Sequence, residues 1–179
     1  MSIDISGRVD EAVPLPAVVA MAWGVMAGAI HLLVAPAHFA EAWYAGVFFV
    51  AVGLGQLLLS VLLTRPLPVP VLVTGVGATA AVVALYVASR TVDLWFLPPH
   101  GHGVEHLPVA GGVGNGIPVL PGDRIEPVGA LDLACLGAEL VVIAMLMSLL
   151  PARVRSRTGT VLTVGAVAGV VVVAVLRST

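Results

Sequence analysis

The chain has 179 residues, 59% of them hydrophobic and only 10% charged, with a mean hydropathy of +1.09. Soluble domains carry about 25% charged residues, so this composition excludes an ordinary water-soluble fold. A net charge of −2, with eight arginines, no lysine and no long basic run, argues against nucleic acid as a partner.

The first 14 residues are polar and include Asp4, Asp10 and Glu11. A secretory leader has a basic start and a short apolar core, so this segment reads as the approach to a membrane span. Five apolar stretches follow, at 15–35, 42–63, 69–88, 128–150 and 161–176. A bilayer core about 30 Å thick is crossed by about 20 apolar residues in helical conformation. Four stretches meet that length; the last is short but almost purely aliphatic. The predicted fold is therefore an all-α integral membrane protein, one transmembrane domain over 1–179. It is expected to be a five-helix bundle with a single long loop, 89–127, between helices 3 and 4.

In the first span, Gly24 and Gly28 have the small-xxx-small spacing that lets helix backbones approach closely. His31 follows near its end. The segment PAHFAE at 36–41 reads as a tight connection to the second span, with Pro36 expected to break or bend the helix. A break there folds His38 and Glu41 back, so that His31, His38 and Glu41 converge on a common centre. Imidazole with carboxylate is a ligand set for copper, zinc or iron. The alternative is that His38 and Glu41 reach interfacial water and His31 bonds to a neighbouring carbonyl. Haem also stays open as a ligand of His31, with His38 or a histidine of another subunit as second axial ligand.

The second span has one central polar residue, Gln56, and the prolines of TRPLPVP at 64–70 separate it from the third. Beyond the third span, Arg90 is expected to pair with Asp132 or Glu126. The loop is rich in Gly and Pro, and its HGHGVEH tract brings His100, His102, Glu105 and His106 within seven residues. Such a tract can capture metal weakly, although a solvated loop can carry histidines without that role.

Ionisable groups inside a membrane are costly and tend to mark function. Glu139, near the middle of the fourth span, is the second candidate, with Asp132 seven residues earlier on the same helical face. It is expected to face the bundle interior and meet His31 or Gln56, either completing a metal site or forming an interhelical hydrogen bond. Cys135 excludes an internal disulfide, being the one cysteine, and reads as a small buried hydrophobe. The arginines of PARVRSRTG link the fourth and fifth spans. In the fifth, Gly165 and Gly169 repeat the small-residue spacing, and the nearly uniform aliphatic surface suits lipid or a neighbouring subunit.

Arg8, Arg65, Arg153, Arg155 and Arg157 fall on one side of this topology and Arg90, Arg124 and Arg177 on the other. By the positive-inside rule the N-terminus is cytoplasmic and the C-terminus extracytoplasmic, in a multi-pass protein of the cell membrane. Trp43, Tyr44, Trp95 and Phe96 then form an aromatic belt at the outer interface. No GxGxxG, P-loop, GxSxG or HExxH motif is present. The leading functional expectation is binding of a transition-metal ion by His31, His38, Glu41 and Glu139, for metal handling or intramembrane redox chemistry. Two alternatives stand beside it. One is an accessory subunit of a larger membrane enzyme, or a homo-oligomer, whose polar residues only bond helices together. The other is an intramembrane metalloenzyme acting on a lipid-like substrate.

Overall fold

The computed structural model of the chain describes residues 13–91 and 128–178. Five α-helices account for nearly all of them: α1 Leu15–Glu41, α2 Trp43–Leu62, α3 Val69–Ser89, α4 Ala130–Leu149 and α5 Ala152–Ser178. Each is long and apolar enough to cross a membrane, and no strand occurs among the described residues. In lipid, backbone N–H and C=O groups must bond within their own segment, and the helix does this without a partner.

Proline sets most of the boundaries. Pro14 caps α1 and Pro68 caps α3, each with extended backbone, and a second proline in the first turn of each helix gives up an N–H that the helix does not use. Leu150 is held extended by the Pro151 that follows it, and this ends α4.

Two boundaries differ from the sequence expectation. Pro36 lies inside α1, which continues to Glu41, so PAHFAE is the last part of a helix and not a connection. The turn to α2 is Ala42 alone, in extended conformation with φ −157° and ψ 129°. A proline removes one helical hydrogen bond, but unwinding the turn would strip several more in a medium without water, so the helix survives. The arginine-bearing segment after Pro151 is likewise helical, and α5 starts at Ala152 instead of near residue 161.

Helices α1 to α4 make the core. α1 and α2 form an antiparallel hairpin whose backbones meet at glycines. A Cβ on Gly28 would lie 2.9 Å from the Gly53 carbonyl oxygen, and a Cβ on Gly53 would lie 2.9 Å from that of Gly28. Gly24 leaves room for the Ser60 hydroxyl in the same way, and Gly46 for the Phe39 ring. α4 lies against α1 through Ala27, Cys135 and Ala138, and against α3 through Val76 and Leu146. Near the start of α1 the interior is purely apolar, formed by residues such as Ala20, Leu63, Leu72 and Leu146. Polar groups collect in the other half, where α1 and α3 end and α4 begins.

α5 stands apart. It touches the core through Val154 and Leu162, after which Val164, Val167, Val171 and Val175 are exposed. Gly165 and Gly169 have nothing within reach of an added Cβ, so their spacing packs no other described helix.

Candidate metal centre

Small residues at the α1–α4 crossing, Ala27 against Ala138, let the helices approach closely enough for the side chains one turn further along to meet. There His31 faces Cys135 and Glu139, all three buried. One ligand atom from each lies within 4.8 Å of the others.

The hydrogen bonds orient the group. His31 Nδ1 is 2.9 Å from the Ala27 carbonyl oxygen, which can only accept, so Nδ1 carries the proton. In the neutral ring Nε2 is then a lone-pair atom, and it stands 3.7 Å from Glu139 Oε1. That oxygen also accepts a hydrogen bond from Gln56 Nε2 at 2.9 Å. Two electron-rich atoms facing each other inside a bundle need a positive charge between them, either a proton or a metal ion. An imidazole fixed through its far nitrogen by a carbonyl is a common preparation for metal ligation. With metal–nitrogen and metal–oxygen bonds of about 2.1 Å, a tetrahedral edge is about 3.4 Å, close to the separation seen. Cys135 Sγ lies 3.5 Å from Nδ1, beside the protonated edge of the ring, and is the third potential ligand of the group.

The structure thus joins His31 to Glu139, as the sequence suggested, and adds Cys135. The sequence contained a signal for the cysteine: Cys135 precedes Glu139 by four residues and so shares its helical face. His38 and Glu41 take a different place. With α1 unbroken, seven residues separate the imidazoles, about 10 Å along the axis. His38 Nδ1 is 3.4 Å from Glu41 Oε2, and the His38 ring stacks on Phe49 with centroids 3.8 Å apart. Phe49 also contacts His31, at 5.6 Å. A cavity of about 310 Å³ joins the two groups, lined by His31, Cys135 and Glu139 and by His38 and Glu41. His100, His102, Glu105 and His106 lie outside the described residues, as do Trp95, Phe96 and Glu126.

Arg90 meets Asp132, one of its two expected partners, at 3.3 Å from Nη2 to Oδ2, and its guanidinium lies over the Tyr86 ring. Asp132 Oδ2 also accepts from the Gly129 N–H at 2.8 Å, which satisfies a donor at the start of α4. One carboxylate therefore holds the end of α3 to the start of α4. Asp132→Ala is expected to lower stability in detergent by about 1–2 kcal/mol, in the range of a lost helix cap. Asp132→Asn keeps an acceptor for Gly129 and should lose less. Thermal unfolding of the two variants checks the order, and equal losses would show that the Arg90 contact, not the cap, carries the effect.

The chain matches no protein-family model, and neither a curated protein nor a solved structure is significantly similar to it.

Proposed function

We propose that this chain is a multi-pass membrane protein that binds a transition-metal ion between α1 and α4, at His31, Cys135 and Glu139, for metal handling or intramembrane redox chemistry. The observation that carries the proposal is the facing of His31 Nε2 and Glu139 Oε1 at 3.7 Å, with Nδ1 already committed to Ala27. A cation between them satisfies both lone pairs at once. A thiol beside imidazole favours zinc or copper over harder ions, and the carboxylate keeps iron within the set. Three protein ligands leave a tetrahedral ion one open position, toward the cavity.

The bias of arginine toward one side supports a cytoplasmic N-terminus, and with it a cavity mouth at the outer face. The purified protein is expected to contain near-stoichiometric zinc, copper or iron by elemental analysis, and His31→Ala is expected to lose it. Wild-type protein that stays metal-free after incubation with each ion would overturn the assignment.

One observation favours a second reading. The exposed aliphatic faces of α5, which meets the core among the described residues through Val154 and Leu162, suit a helix that seats a partner subunit. On that reading the His31–Glu139–Gln56 contacts serve as interhelical bonds, and the protein copurifies in a larger complex without metal.

A further inference from the structure

We infer that His38 and Glu41 form a loading site through which the ion reaches the buried group. The inference rests on the metal reading of His31, Cys135 and Glu139.

The two sites share a chemistry. Each sets an imidazole nitrogen against a carboxylate oxygen, at 3.7 Å in the buried pair and 3.4 Å in His38–Glu41. They also share a space, because the same cavity is lined by both. Their depths differ. Glu41 is the last residue of α1 and His38 lies one turn before it, whereas His31 is two further turns inside. A cation going from water to the middle of a bundle has to give up its hydration shell. Exchanging water for ligands at the mouth, and those for the buried set, divides that cost into steps. Sites in series that each bind moderately are also how ion pathways combine capture with release.

Phe49 occupies the boundary. Its ring is stacked on His38 with an interplanar angle of 7° and tilted against His31 at 38°. It therefore touches both imidazoles and offers the ion no ligand. Across the cavity, the positive charge of Arg90 is drawn toward Asp132, so a cation at Glu41 faces a neutralised wall.

The test is the kinetics of Zn²⁺ uptake by the full chain in detergent, followed by competition with a chromophoric chelator, together with the zinc content reached at equilibrium. His38→Ala and Glu41→Gln are expected to slow filling severalfold, while the final content follows His31 and Glu139. Filling at the wild-type rate in the His38 and Glu41 variants would overturn the loading site. Loss of equilibrium content in those variants would overturn it too, by making His38 a ligand of the buried centre. If wild-type protein takes up no zinc, copper or iron, the buried centre itself fails. If it does bind one while the rates are indifferent to these residues, only the loading site fails.

Discussion

Glu139→Gln is expected to leave the bundle folded and to abolish near-stoichiometric metal binding. The amide keeps an oxygen that can accept from Gln56 Nε2, now at 2.9 Å from Glu139 Oε1, so the contact between α2 and α4 persists. What it removes is the anionic oxygen opposite His31 Nε2. Glu139→Leu separates the two roles further. It leaves the Gln56 amide without its acceptor, at a cost of about 1–3 kcal/mol for a buried polar group. Interhelical hydrogen bonds in membranes average nearer 0.6 kcal/mol, so a loss of about 1 kcal/mol is the expected outcome. Leucine also inserts more readily than a carboxylate, by about 2.5–3.5 kcal/mol at mid-bilayer. That gain applies equally to the inserted but unpacked chain, so it improves insertion without strengthening the packing. Metal content and unfolding of the purified variants separate the terms. A glutamine variant with full metal content would show that Glu139 only bonds helices together.

The second large effect is expected at the α1–α2 crossing. Gly28→Ala puts a methyl group 2.9 Å from the Gly53 carbonyl oxygen and 3.0 Å from Leu57 Cγ, and Gly53→Ala meets the Gly28 carbonyl at the same distance. The obstacle in both cases is backbone, which cannot move aside as a side-chain tip can, so the helices must separate. Overpacking of this kind costs about 1–3 kcal/mol. His31 lies one turn beyond Gly28 and moves with α1, so both variants should also retain metal less well. Gly165→Ala and Gly169→Ala have the same sequence spacing but meet nothing within 4 Å. They should be neutral in the isolated chain. Unfolding midpoints of the four variants check this, and equal losses at all four positions would mean that α5 packs as tightly as the α1–α2 hairpin.

Much of the architecture was legible in the residues. Spans two, three and four fall within a residue or two of α2, α3 and α4, because hydropathy and proline act locally and add along the chain. The pairing of Glu139 with His31 and Gln56 was legible too, since a buried carboxylate must find the few polar groups available at its depth. The same was true of Arg90 with Asp132. Helix α1 runs through Pro36 because proline ends helices readily in water, where an unwound turn can hydrogen-bond to solvent, and not in lipid. The expected convergence of His31, His38 and Glu41 fell with the expected break. The start of α5 was missed because its arginines resemble a polar linker, although arginine is a good helix former.

By itself the sequence determined how many membrane-length helices the described residues form, how apolar they are and which few polar residues they must shelter, because each of these follows from local composition. Only the tertiary structure decided which of those residues share a site. Ala27 and Ala138 let α1 and α4 cross closely, and that crossing brings Cys135 to His31 from 104 residues away. Phe49 comes to lie against two imidazoles in the same way, from the facing helix of the hairpin. Spacing puts Cys135 on the helical face of Glu139, but neither contact across helices follows from it, because both depend on how one helix is rotated against another. That rotation is fixed by packing at small residues such as Gly28 against Gly53 and Ala27 against Ala138.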